Sequence, residues 1–357
     1  MRSRDPTVKM TSFPWRSDAT SVSQVPANFV LPEDKRPNLS DVSCLSIPII
    51  DMKEMIDDPD RNPSPLLVEA IARACEDYGF FQIVNHGVPE ELCQRMLKTV
   101  TKFFELSTEE KNKFFSDDVN KEVRFFSRYL KVENDEKVSM WSEVLYHHWH
   151  PQEDFTPPLP KNPPEYREVI AEYAKEIGAL VTRLLSLISQ GLGLEKDCLK
   201  RRMGETPTRR LQANYYPPCP EPELTLGLAP HTDFNALTIV NQSDGVTGLQ
   251  VNKDGKWVAV DPIPNSFVVN IGDQIQVLSN DKYKSNLHRA VTNKHRRVSL
   301  AMFYGPGKDT EIGPIENFID EEHPRVYRNY RYAEFMEEYH RQVGLRKRLK
   351  EAFRFDN

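Results

Sequence analysis

The chain has 357 residues, with 47 Lys and Arg against 53 Asp and Glu and a formal net charge of −6. That balance argues against a nucleic-acid coat or a membrane-surface binder, both of which need dense positive charge. With 39% apolar and 10% aromatic residues the chain is not disordered and can bury a sizeable core, yet no apolar run reaches the roughly 18 residues that a membrane-spanning helix needs.

Residues 1–46 are polar, Pro-dotted and aperiodic, and are expected to form a flexible or surface-hugging arm. The N-terminus lacks the apolar stretch of a secretory signal. Ile47-Pro48-Ile49-Ile50-Asp51 reads as an edge strand, because Pro48 cannot donate to a ladder. Ser64-Pro65 opens a helix, with Ser as N-cap and Pro in the first turn. Leu67, Ile71 and Ala74 recur at helical spacing, and Gly79 ends it. Phe80–Val84 reads as a buried strand and Asn85-His86-Gly87 as its turn. A second helix follows Pro89 and carries Leu92, Met96, Val100 and Phe104. Glu109–Asp135 has no clear period. Trp141–Trp149 reads as an aromatic-rich strand, and Pro151–Pro164 as a Pro-rich connector. The longest helix is expected from Pro164 to Gln190, with Val169, Tyr173, Ile177, Leu180, Leu184 and Leu187 as its core stripe and Gly191 as its cap.

After Arg210 short apolar or alternating runs follow, separated by turn residues: Leu211–Tyr216, Ala236–Asn241, Leu249–Asn252, Trp257–Asp261, Ser266–Ile271, His288–Thr292 and Val298–Tyr304. Asn252-Lys253-Asp254-Gly255 has hairpin composition. Even spacing of short strands is the signature of a sandwich, jelly roll or barrel. Helical pattern returns at Tyr332–Arg348. The expected plan is an arm over 1–46, a helical N-terminal region over 47–205, a β core over 206–310 and a C-terminal helical segment over 311–357. Five cysteines, Cys44, Cys75, Cys93, Cys198 and Cys219, form no CxxC pair. They argue against a disulfide framework or a thiolate zinc site, and the expectation is a soluble cytoplasmic protein. Phe355-Asp356-Asn357 matches no peroxisomal or retention signal.

The chemistry starts at His231-Thr232-Asp233. On an extended segment alternate side chains share a face, so an imidazole and a carboxylate point the same way. His288, at the start of a later strand, is the leading candidate for a third ligand. Two His and one carboxylate leave open positions that suit non-haem Fe(II) and oxygen chemistry; the bland alternative is three ordinary polar positions. Arg297-Val298-Ser299 again puts two side chains on one face, with Ala301 and Phe303 continuing it. A guanidinium and a hydroxyl there suit the far carboxylate of a short dicarboxylate such as 2-oxoglutarate, unless Arg297 is a solvated strand-end cation.

Together, Asn214-Tyr215-Tyr216-Pro217-Pro218-Cys219-Pro220, His231-x-Asp233, His288 and Arg297-x-Ser299 resemble, in order and spacing, the plant 2-oxoglutarate- and Fe(II)-dependent dioxygenases. Phe80–Gly87 resembles that family's N-terminal segment, and the likeness covers roughly Pro48 to Phe335. It implies an α+β fold with a distorted double-stranded β-helix (jelly-roll) core flanked by helices. It implies that His231, Asp233 and His288 are catalytic iron ligands and that Arg297 and Ser299 bind 2-oxoglutarate. Asn214 and Tyr216 would hold the metal-side end of that co-substrate. Fe(II), 2-oxoglutarate, O2 and ascorbate as reductant would be the chemical partners of a monomer. 2-Oxoglutarate would be decarboxylated to succinate as the substrate is oxidised.

Lys256–Val260 and Val269–Asn280 look like the downy-mildew-resistance-type oxygenases and the flavone synthase I enzymes of early land plants. The resemblance implies a phenolic substrate: first a flavanone, converted to a flavone or 2-hydroxylated in flavonoid biosynthesis, and second salicylate. Phe303, Phe234 and Tyr146 are candidates for stacking on a flat ring, although core packing accounts for Phe234 and Tyr146 as well. Gln212 stands where the anthocyanidin synthases carry a Lys. His147, His148 and His150 read as surface or supporting residues, and Arg346–Lys350 as a solvated basic face. The rivals are a non-catalytic β-barrel binding protein, a zinc hydrolase on the same three residues, and an oxidase of the same superfamily that does not use 2-oxoglutarate.

Overall fold

The computed structural model describes residues 23–38, 42–43, 45–57, 62–150, 158–342 and 349–355. Cys44 and the segment 343–348, which holds most of the Arg346–Lys350 run, lie outside them, as do the first 22 residues.

The N-terminal region alternates strand and helix. Strands β1 (Val42–Ser43) and β2 (Ile49–Asp51) lead to α1 (Glu54–Asp57), α2 (Pro65–Asp77), β3 (Phe80–Val84), α3 (Glu90–Phe104) and α4 (Thr108–Asn112). Then come β4 (Val123–Phe126), a ribbon of β5 (Tyr129–Lys131) and β6 (Lys137–Ser139), β7 (Glu143–His148), α5 (Tyr166–Gly191) and α6 (Cys198–Arg202). The Ser64 hydroxyl accepts from Leu67 N and caps α2 as its sequence suggests.

The β core follows: β8 (Thr208–Tyr216), β9 (Leu226–His231), β10 (Leu237–Gln242), β11 (Leu249–Lys253), β12 (Lys256–Ala259) and β13 (Phe267–Ile271). Next are α7 (Asp273–Leu278), β14 (His288–Val291) and β15 (Arg297–Gly305). A small ribbon of β16 (Glu311–Ile312) and β17 (Tyr330–Arg331) precedes α8 (Tyr332–Arg341). Asp254 and Gly255 both take positive φ in the β11–β12 hairpin, the requirement of a type I′ turn.

Two sheets form the distorted double-stranded β-helix. The larger has the order β2-β3-β13-β10-β15-β8-β7-β4 and the smaller β1-β12-β11-β14-β9. β15 is buried along its whole length, and its alternation sorts two chemistries. Val298, Leu300, Met302 and Tyr304 join the main core against the helices, while Ala301 and Phe303 join the cluster on the other face. α3 packs against β8, β10 and β15, and α5 packs against α2 and α3. Each fully buried Leu or Ile of the α5 stripe contributes roughly 1.5–3 kcal/mol.

Three expectations are corrected by this architecture. The boundary at 205/206 divides no domains, because β2, β3, β4 and β7 from the N-terminal region complete the larger sheet. Part of the arm is packed rather than free: Val25, Phe29 and Leu31 are buried, and Phe29 meets the Trp141 ring at 5.3 Å. Gly191 is the last helical residue of α5 rather than the cap. A Cβ there would sit 2.7 Å from Tyr283 Oη, so close approach is its role, and the positive φ falls two residues later, at Gly193 (+74°). α7 is a helix for which the sequence offered no periodic signal, because all six of its residues are buried. Among the described residues no helix is long and apolar enough to cross a membrane.

Candidate active site

β9 and β14 pair antiparallel with His231 opposite His288, and the ring centroids stand 4.1 Å apart. The chain leaves β9 directly after His231, and Asp233 turns back toward both rings. Its Oδ1 lies 3.8 Å from His231 Nε2 and 3.6 Å from His288 Nε2. One ligand atom from each of the three lies within 4.8 Å of the other two, the one such group found among the described residues.

The surroundings orient these atoms. His231 Nδ1 faces the Ala229 carbonyl at 3.0 Å, and His288 Nδ1 faces the Asn286 carbonyl at 3.2 Å. Carbonyls only accept, so each Nδ1 carries the proton and each Nε2 lone pair points into the cluster. Asp233 Oδ2 accepts from Thr238 Oγ1 (2.7 Å) and Asn270 Nδ2 (3.1 Å), which leaves Oδ1 for the cluster. Two neutral imidazole nitrogens and one carboxylate oxygen on one side fit a divalent iron with positions left open. Tertiary contacts hold the Asp233 segment from behind. Asp273 N donates to the Asp233 carbonyl, and Thr232 Oγ1 donates to Asp273 Oδ2.

β8 and β15 pair with Arg297 opposite Tyr216, Ser299 opposite Asn214, Ala301 opposite Gln212 and Phe303 opposite Arg210. Arg297 is 4% exposed, so it is no solvated strand-end cation. Its Nη2 donates to Gln242 Oε1 at 2.8 Å, and its guanidinium lies 5.1 Å from the Tyr216 ring. Burial pulls its pKa below the ordinary value, while Tyr216 opposes that shift. A Cβ on Gly248 would come within 2.7 Å of Arg297 Cδ, so that glycine makes room for the side chain. Arg297 Nε and Gln242 Nε2 are buried donors with no partner within the protein, the state expected of groups shaped to meet an anion. Asn214 Nδ2 approaches Ser299 Oγ at 3.4 Å. The register therefore sets Tyr216 beside Arg297 and Asn214 beside Ser299.

One cavity of about 1110 Å³ joins the His–Asp cluster, Arg297 and Ser299 to an aromatic chamber. Phe303, Phe234 and Tyr146 all line it. Phe234 and Phe303 are parallel within 4°, with centroids 6.3 Å apart. Phe234 also meets Tyr339 of α8 at 4.7 Å. The Tyr146 hydroxyl pairs with His148 Nε2 at 3.1 Å. Burial, reinforced by Arg210, pushes the His148 pKa down to about 4. His147 is buried and bonded to the Tyr166 hydroxyl, so that pair is part of the wall and the core.

Several contributors carried no sequence signal. Thr238, Asn270 and Gln242 act only through long-range partners. Arg124 and Arg210 belong to strands whose faces periodicity left ambiguous, and Arg128 to the connection between β4 and β5. Lys350 corrects the reading of a solvated basic run: it is 2% exposed and donates to Asp273 Oδ1 at 2.8 Å and to the Ser285 carbonyl at 3.2 Å. Ionic pairing behind the Asp233 segment is what takes it inside.

Comparison with known proteins agrees with this geometry. The 2OG-Fe(II) oxygenase superfamily profile matches residues 207–306, and the profile for the non-haem dioxygenase in morphine synthesis N-terminal region matches 47–167. The chain is 45% identical over 326 residues to Protein DMR6-LIKE OXYGENASE 2 of Arabidopsis thaliana, covering 90% of this chain and 91% of that one. It is 44% identical to Flavanone 3-dioxygenase 2 of Oryza sativa subsp. japonica, covering 88% and 90%. Among solved structures, JOX2 in complex with 2OG, Fe and JA superposes with a TM-score of 0.83 at 34% identity, covering 95% and 96%. The chain belongs to the 2OG-Fe(II) oxygenase superfamily, in the group of the DMR6-like oxygenases and flavanone 3-dioxygenases, as an enzyme of dioxygenase type that uses Fe(II) and 2-oxoglutarate.

Proposed function

We propose that this enzyme oxidises a plant phenolic, a flavanone before other candidates, to the flavone or the 2-hydroxyflavanone. The observation that carries the reading is the apposition of the His231–Asp233–His288 cluster to a cavity walled by the parallel rings of Phe234 and Phe303. The identity of the rice relative, named for a flavanone, supports it.

In this reading His231 Nε2, His288 Nε2 and Asp233 Oδ1 hold the iron, and Arg297 with Ser299 and Tyr216 grips the distal carboxylate of 2-oxoglutarate. Asn214 orients Ser299. Bound iron with 2-oxoglutarate and O2 supplies the oxidising chemistry, in which the co-substrate leaves as succinate and CO2. Hydroxylation places one oxygen atom in the product, whereas desaturation removes two hydrogens and releases water. The chain's own work is positional. Thr238 and Asn270 fix the carboxylate, the two backbone carbonyls fix the imidazole tautomers, and the aromatic wall orients a flat ring and excludes water. Tyr146 closes that wall through His148.

A second reading, hydroxylation of salicylate, is favoured by the arginines that line the same cavity. The enzyme is read as a cytoplasmic monomer. Its four described cysteines are free thiols, and its large exposed apolar side chains, such as Leu45, Leu66 and Val119, are scattered along the chain.

An aerobic assay with Fe(II), 2-oxoglutarate and ascorbate, run against naringenin and salicylate with products identified by mass, tests the proposal. Succinate formed in step with an oxidised naringenin is the expected result. Turnover of neither compound overturns the phenolic reading.

A further inference from the structure

The chain is acidic overall, yet among the described residues the cavity is lined by seven Lys and Arg and only three Asp and Glu. Part of that excess has an evident use. A divalent iron and Arg297 carry three positive charges, and Asp233 with a doubly ionised 2-oxoglutarate carries three negative ones. Arg124, Arg128 and Arg210 are not answered in that balance.

The three are held by neutral groups. Arg124 lies 4.6 Å from the Tyr146 ring and 5.0 Å from the Phe126 ring, and its buried Nε has no partner. Arg128 lies 5.9 Å from the same Phe126 ring and donates to the side-chain oxygens of Asn214 (2.9 Å) and Gln212. Arg210 lies 5.4 Å from the Phe234 ring, and the hydroxyls of Tyr146 and Tyr332 support its charge. None of the three ion-pairs with a carboxylate among the described residues. The charged neighbours of Arg124 are Asp118, which supports its charge, and Arg210, which opposes it; Arg128 is in turn opposed by Arg124. Gathering like charges in a half-buried wall is costly unless an anion arrives.

Arg210 stands apart from the co-substrate anchor, whereas Arg128 reaches toward it through Asn214. Arg210 stands opposite Phe303 and Arg297 opposite Tyr216, which are six residues or about 20 Å apart along β15. The stacking rings of Phe234 and Phe303 stand at the Arg210 end.

We propose that Arg124, Arg128 and Arg210 form an anion-binding subsite that grips an ionised oxygen, carboxylate or phenolate, on the aromatic substrate. This rests on the reading of the cavity as the chamber of a phenolic oxygenase, and deepens it. Charge-assisted bonds to a guanidinium cluster would select the ionised ligand over a neutral one of the same shape.

The test is equilibrium dialysis of the full chain with Fe(II) and 2-oxoglutarate under anaerobic conditions, paired with aerobic kinetics. Salicylate is compared with methyl salicylate, and naringenin with its fully O-methylated ether. The first pair reads a carboxylate and the second a phenolate. In the wild type at least one ionisable ligand binds about 10-fold or more tightly than its neutral partner. Arg124→Gln and Arg210→Gln each weaken that ligand about 10- to 100-fold, while the KM for 2-oxoglutarate stays within about 2-fold and Arg→Lys recovers part of the loss. The inference is overturned if ester and ether bind as well as acid and phenol, or if Arg124→Gln leaves the ionised ligand's affinity unchanged. The wild-type comparison needs no variant, so a misfolded Arg210→Gln does not remove the test. Turnover without discrimination sinks this inference alone; absence of any binding or oxidation of phenolics sinks it together with the reading beneath it.

Discussion

Each histidine of the cluster has its proton placed by a backbone carbonyl, and the aspartate has one oxygen occupied by Thr238 and Asn270. These contacts orient the ligand atoms, and the residues that make them are as testable as the ligands. His231→Ala or His288→Ala is expected to abolish turnover and Co(II) binding followed by visible absorbance; retention of most activity in either variant rejects the assignment. Thr238→Val removes only the hydroxyl that steers Asp233, and a roughly 10- to 100-fold loss of Co(II) affinity is expected with the fold intact. Arg297→Ala should chiefly raise the KM for 2-oxoglutarate, and Arg297→Lys should recover only part because it lacks the planar fork. An unchanged KM in the alanine variant counts against the anchor. His231 and Asp233 were legible through their HxD spacing, although a turn directly after β9 rather than continued strand alternation brings the carboxylate to the rings. Thr238, Asn270 and Gln242 were not, since a single Thr, Asn or Gln carries no spacing that marks its partner.

The segment that bears Asp233 is braced by α7 and by the C-terminal turn over Leu349–Phe353. Lys350 and Asp273 are 3% and 0% exposed at their side chains, so each charge depends on the other. Lys350→Met leaves Asp273 buried and unpaired, and a loss of about 3–5 kcal/mol of stability is expected in urea denaturation. Pairing it with Asp273→Asn should recover much of that loss, and strict additivity of the two changes in a double-mutant cycle would refute the coupling. The loss should be accompanied by weaker Co(II) binding, because Asp273 also receives the Thr232 hydroxyl next to both ligands. The element pattern shows why the sequence was legible in some places and silent in others. α2, α3 and α5 each have one buried stripe and a solvated face, so their period was readable. α7 is buried on every side, which removes the polar contrast on which periodicity depends.

Across the molecule, two buried neutral histidines tie the N-terminal region to its neighbours. His86 accepts from Val88 N and bonds to the Asn265 carbonyl, and His147 bonds to the Tyr166 hydroxyl. Burial lowers both pKa values from 6.5 to about 4. Their folded values lie below the unfolded one, so folding favours the neutral rings. This contribution is complete above about pH 6.5 and is lost as the pH falls toward about 4. Each ring adds a slope approaching about 1.4 kcal/mol per pH unit within that window. Thermal melts between pH 7 and 5 should show a falling Tm, with a shallower fall in His86→Gln; a flat Tm over that range refutes the linkage.

The order and spacing of a few side chains carried the chemistry. Alternation along an extended segment paired Arg297 with Ser299, the HxD spacing linked His231 to Asp233, and the family likeness supplied the jelly roll that joins them. What only the folded chain decided was which distant groups meet. The His231–His288 register, the four N-terminal strands in the larger sheet, the internal ion pair of Lys350 and the three arginines on one aromatic wall all arise from contacts between remote segments. Local periodicity reports which face of an element is buried, and pairing between elements is a property of the packed chain.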